Sequence, residues 1–114
     1  MSDNNRTSKH QPYQGKLVEV DFDKKFIPRI HSGEITFTIR LKKLGKRMDY
    51  FKVETKTYRI HDVESAPLWC FLELFKFEGF SSTEEQLSTL REYYPEITLD
   101  TTVFCYCFSE EAVS

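Results

Sequence analysis

Glycine is scarce in this chain, with four residues in 114, and so are proline (four), cysteine (three) and tryptophan (one). Four glycines leave little room for a glycine-rich loop that cradles phosphate. Cys70, Cys105 and Cys107 are an odd number without a scaffold pattern, which argues against a disulfide framework and for a reduced, cytoplasmic setting. Cys105-x-Cys107 supplies two ligands where a zinc site needs four, and His10, His31 and His61 fall in different segments. Neither a metal nor another cofactor is expected. The longest apolar run, Ala66 to Leu72, is far short of the ~20 residues that cross a bilayer, and the first five residues are polar throughout. A membrane span or secretory leader is therefore not expected.

Aromatic residues and charge asymmetry are what the chain has in quantity. Ten phenylalanines and six tyrosines suit a β-rich core, and the length suits a single domain. The net charge of −2 conceals an uneven distribution. Residues 1–59 hold fourteen Lys and Arg against seven Asp and Glu, and residues 60–114 hold two against eleven. A basic patch is expected from Lys24, Lys25, Arg29, Lys42, Lys43, Lys46 and Arg47, and such clusters attract phosphate. The plainer explanation of these charges is a solvated face balanced by acidic neighbours.

Residues 1–14 show no apolar periodicity and read as a disordered tail, 15–110 as the folded domain and 111–114 as a C-terminal tail. Leu17 to Phe22 alternate and predict a strand. Asp23 is placed to cap a short helix that ends near Gly33, where a left-handed turn is easiest for glycine. Tyr50–Glu54 and Thr57–Val63 read as a hairpin. Ser65-Ala66-Pro67 reads as a helix start, with Leu68, Phe71, Leu72 and Phe75 at helical spacing. Trp69, Cys70 and Leu74 make that helix apolar nearly all round, so burial is expected, the alternative being a face for a protein partner. Ser82-Thr83-Glu84-Glu85 fits a capping box opening a helix with Leu87, Leu90 and Tyr94 inward, and a last strand runs from Thr101 to Phe108.

The stretch His31-Ser32-Gly33-Glu34-Ile35-Thr36-Phe37-Thr38-Ile39-Arg40 is the richest in chemistry. Strand alternation puts Thr36, Thr38 and Arg40 on one face and Ile35, Phe37 and Ile39 on the other. Two hydroxyls and a guanidinium past a glycine turn can grip a small polar or anionic group.

Gly-Glu-x-Thr-x-Thr-Ile-Arg after a short helix resembles the entry motif of the ASCH domain, a small β-barrel related to the RNA-binding PUA fold. Asp49-Tyr50-Phe51-Lys52-Val53 with Lys56-Thr57-Tyr58-Arg59-Ile60, then Phe77-Glu78-Gly79-Phe80, then the final strand resemble later parts of the family in the same order. The resemblance covers roughly Gly15 to Phe108. It implies an α+β fold: a small, mostly antiparallel PUA-like barrel flanked by two to three helices. At the family's Gly-Asp turn, Asp49 keeps the aspartate but Met48 stands for the glycine, so a differently built turn is expected.

Some ASCH proteins are amidohydrolases that deacetylate acetylcytidine with a lysine, a threonine and a glutamate. Carried over, the threonine is Thr38 and the glutamate Glu78, but the lysine position is Ile35. An isoleucine neither accepts a proton nor steadies an oxyanion. The resemblance thus implies an RNA or modified-nucleoside module, non-catalytic, with Thr36, Thr38, Arg40 and Glu78 binding the ligand. Two alternatives stand beside it. One is an amidohydrolase whose base is relocated to another lysine, with Thr38 and Glu78 catalytic. The other is a protein-interaction domain, through the Trp69 helix, with a vestigial pocket.

Overall fold

Four strands, β1 (Phe37–Arg40), β2 (Tyr50–Val53), β3 (Lys56–Pro67) and β4 (Thr102–Glu110), form one antiparallel sheet in the computed structural model, which describes residues 14–111. Their order is β1-β4-β3-β2. The expected tails fall outside the described residues except for Gln14 and Glu111. Glu111 is tied to the sheet, its N–H donating to Thr57 O at 2.8 Å and its carboxylate pairing with Arg59.

The sheet curls into a half-barrel, and β3 shows why. Ile60 pairs with Phe108 and Asp62 with Cys107, so His61 is an inserted residue. Such a bulge bends the strand, strengthens its twist and shifts the alternation by one. Tyr58 and Ile60 before it, and Val63 after it, face the concave side with Tyr106 and Phe108. Phe51, Val53, Ile30 and Ile35 complete that core. A second core lies on the other side of the sheet, where Ile39, Val103 and Cys105 meet Leu68, Phe71, Leu90 and Ile97. The fold is α+β, as expected.

A 3-10 turn (Lys24–Phe26) runs into helix α1 (Ile27–His31), with Pro28 in its first turn. Gly33 follows at φ +85°, the left-handed turn expected of it. Asp23 does not cap this helix. Its carboxylate instead accepts a hydrogen bond from the Tyr93 hydroxyl.

Helix α2 (Thr83–Tyr93) has the expected cap: Ser82 Oγ accepts from Glu85 N–H at 3.1 Å. The carboxylate of Glu85 reaches back to Ser81 N–H at 2.8 Å, one residue before the box as read from the sequence.

Three further expectations are corrected. Leu17–Phe22 forms no strand but only a parallel bridge from Leu17 to Tyr50, because the segment leaves the edge of the short β2 and crosses the concave mouth. Ser65, Ala66 and Pro67 do not open a helix but end β3, paired with Phe104, Val103 and Thr102. The element after them, Leu68–Glu78, is a 3-10 helix. Three residues per turn stack Cys70, Glu73 and Lys76 in one exposed row, and Trp69 beside them is 56% exposed rather than buried. In the turn before Asp49, Met48 adopts φ +82°, a left-handed backbone without glycine's freedom. Asp49 beneath it is buried and structural, accepting from the N–H groups of Lys16 (3.0 Å) and Lys46 (2.9 Å).

Candidate functional site

A cavity of about 410 Å³ opens at the mouth of the half-barrel, between β1, α2 and the segment 21–26. Ile35, Thr38, Arg40 and Glu78 all border it. Residues 35 and 38 lie on opposite faces of a regular strand, so their meeting needs an irregular entry. The chain supplies one: Glu34 and Ile35 both donate their N–H to Arg29 O, and regular pairing starts only at Phe37. Thr36 does not border the cavity. Its backbone joins elements instead, donating to Phe77 O at 2.9 Å and accepting from Phe108 N at 2.9 Å.

Arg40 is held on three sides. Its Nε donates to Thr38 Oγ1 at 3.1 Å, its Nη2 donates to Asp21 O at 2.6 Å, and its guanidinium lies 5.0 Å from the Phe22 ring centroid. Two of five N–H donors are thus engaged by the described residues. Burial pulls its pKa below the ordinary value, while the nearby Tyr94, Asp21 and Tyr106 pull the other way. A guanidinium remains charged at neutral pH. Thr38 accepts from Arg40, which leaves its own hydroxyl proton free to donate.

Glu78 ends the 3-10 helix and is 6% exposed. Burial raises its pKa from 4.5 to about 8, opposed by one hydrogen bond from Gln86. At neutral pH the group is therefore largely the neutral acid. Gln86, wholly buried on α2, donates its Nε2 to Glu78 Oε2 at 2.7 Å and to Phe71 O at 3.4 Å. Its Oε1 has no partner among the described residues. A half-turn of that amide would present Oε1 to Glu78, so ionised and neutral Glu78 favour opposite orientations of Gln86.

Sequence reasoning missed Gln86, Thr89 and Tyr93, the last two of which border the cavity. Spacing could have found them, since 86, 89, 90 and 93 form one helical stripe; a polar residue on an inward stripe was the overlooked signal. Ile35 is 3% exposed and packs against Gly79, and among the described residues no lysine borders the cavity. Of the expected basic patch, Lys25 and Arg29 line a neighbouring cleft. Lys24, Lys42, Lys43, Lys46 and Arg47 border neither space. Burial pushes the Cys105 thiol well above its ordinary pKa, which leaves it a core residue. No described helix is long and apolar enough to cross a membrane.

No protein-family model matches the sequence, and no curated protein matches it significantly. Solved structures do match. The hypothetical protein PH0355 has a TM-score of 0.67 at 16% identity, over 87% of this chain and 100% of that one. The ASCH domain from Lactobacillus crispatus JV V101 has a TM-score of 0.63 at 12% identity, over 93% and 84%. Protein EF3133 from Enterococcus faecalis V583, of family DUF984, has a TM-score of 0.58 at 19% identity, over 94% and 88%. With its half-barrel, its covering helices and a pocket at the mouth, this chain has the fold of the ASCH domain.

Proposed function

We propose that the cavity is a binding site for a nucleobase, as a modified nucleoside or an RNA base, and that it does not turn the ligand over. The observation that carries this is the convergence of Arg40, Thr38 and a buried Glu78 on one space of about 410 Å³. Arg40 and Thr38 offer donors to a carbonyl oxygen of the base. A protonated Glu78 offers a donor and an acceptor side by side, which complements an edge where a ring nitrogen adjoins an exocyclic amine. Phe22, Phe26 and Phe80 supply ring surface around these groups. Binding without turnover is supported by the absence of any lysine among the described residues that border the cavity, and by the isoleucine at position 35.

The test is calorimetric titration of the parent and of Arg40→Ala with the four ribonucleosides and acetylcytidine, alongside an acetylcytidine hydrolysis assay. One of these ligands is expected to bind the parent, with affinity falling about tenfold or more in Arg40→Ala and no hydrolysis in the parent. Equal affinity in both proteins would refute the assignment of the site, and hydrolysis by the parent would refute the non-catalytic reading.

A further inference from the structure

The inner cavity shares three walls, Phe26, Phe80 and Thr89, with a second cleft of about 740 Å³. That outer cleft is lined further by Lys25, Arg29, Glu34, Lys76, Ser81 and Glu85. Three cations face two carboxylates there, and both carboxylates are already committed. Glu34 holds Arg29 at 2.8 Å, and Glu85 accepts from Ser81 N–H at 2.8 Å as the capping arm of α2. Lys25 and Lys76 stand in no ion pair among the described residues. The ammonium of Lys25 lies 5.2 Å from the Phe26 centroid, on the ring that divides the two spaces. Thr89, between them, borders both spaces and is only 8% exposed.

We propose that the outer cleft is a phosphate site, and that the ligand is a nucleoside monophosphate with its base in the inner cavity and its phosphate among Lys25, Lys76 and Arg29. This rests on the base-binding reading of the inner cavity and specifies the ligand it would take. A phosphate near neutral pH carries close to two negative charges and offers several acceptor oxygens. Two unpaired ammonium groups answer the charge, and the Thr89 hydroxyl answers an acceptor, while the Ser81 hydroxyl already donates to Glu85 Oε1 at 3.3 Å. The Arg29–Glu34 pair is half-exposed, 39% and 55%, so it is worth little in water and yields readily to a competing phosphate. Lys25 and Lys76 come from different elements that line the cleft, the 3-10 turn before α1 and the long 3-10 helix. A single phosphate between them would bridge the two.

The experiment is calorimetric titration of the four ribonucleosides and their 5′-monophosphates into the parent and into the double variant Lys25→Ala/Lys76→Ala. For the preferred base, the monophosphate is expected to bind the parent about tenfold tighter than the nucleoside. That ratio is expected to shrink toward one as salt rises to about 0.5 M, and to fall below about twofold in the double variant. Both replaced side chains are at the surface, and an unchanged melting temperature verifies that the variant is folded. Equal binding of nucleoside and monophosphate to the parent would overturn the phosphate site while leaving the base pocket standing. A phosphate preference that survives in the double variant would overturn its placement in this cleft. Binding of neither ligand would remove the base-pocket reading and this inference with it.

Discussion

Replacing Glu78 by glutamine keeps the shape of the cavity wall and removes its titrating group, so the stability difference between the two proteins reports that one carboxyl. In the folded chain its pKa is about 8, against an ordinary value of 4.5. Between those two values the folded protein keeps a proton that the unfolded chain has released. The stability this confers is fully present below about pH 4.5 and is lost as pH rises through about 8. The slope is about 1.4 kcal/mol per pH unit midway and flattens toward pH 8, which comes to about 3.5 kcal/mol between pH 5 and pH 8. That is a large share of the ~5–15 kcal/mol that holds a domain folded. Urea denaturation of the parent and of Glu78→Gln at unit steps from pH 5 to 8 measures it. The parent should lose ground to the variant steadily, because the glutamine stays neutral at every pH while its Oε1 can still accept from Gln86 Nε2. A difference that stays flat across this range would show that Glu78 ionises like a solvated carboxylate, and the buried-acid argument would fall.

Two substitutions of opposite sense test the left-handed backbone. Gly79 sits at φ +94°, and a Cβ there would lie 2.6 Å from Ile35 Cδ1, so Gly79→Ala is expected to cost about 2–3 kcal/mol in urea denaturation. Adding Ile35→Val should recover only the part due to the clash, and a Gly79→Ala protein as stable as the parent would refute the account. Met48 at φ +82° has the same conformation without glycine's freedom and is 39% exposed. Met48→Gly is expected to gain about 1 kcal/mol by the same assay, and a loss would mean that its side-chain contacts outweigh the strain.

The elements legible in the sequence were those governed by neighbours a few residues away. The alternation around Thr38, the hairpin of β2 and β3, the Ser82 cap and the left-handed Gly33 all depend on local sterics and local hydrogen bonds. Leu17–Phe22 alternates just as well, yet a strand needs a partner edge, and β2 offers it only one bridge. Pro67 could open a helix or end a strand, and its pairing with Thr102, far along the chain, decided the matter. At the candidate site, family resemblance led to Thr38 and Glu78, while the face of β1 and its alternation led to Arg40. Gln86 was legible as a polar residue on the inward stripe of α2, but its partner was not, because that partner is a carboxyl on another helix.

The long 3-10 helix, finally, acts as a measured spacer. At about 2.0 Å per residue its eleven residues reach about 22 Å, whereas an α-helix of the same length would reach about 16 Å. The sheet fixes one end at Pro67, and Glu78 borders the cavity at the other. The tighter winding is therefore what delivers the carboxyl to the cavity wall. Substitutions that let this segment relax into an α-helix would draw Glu78 back by roughly a full α-helical turn, about 5 Å, and empty the site of its acid without touching any residue that lines it.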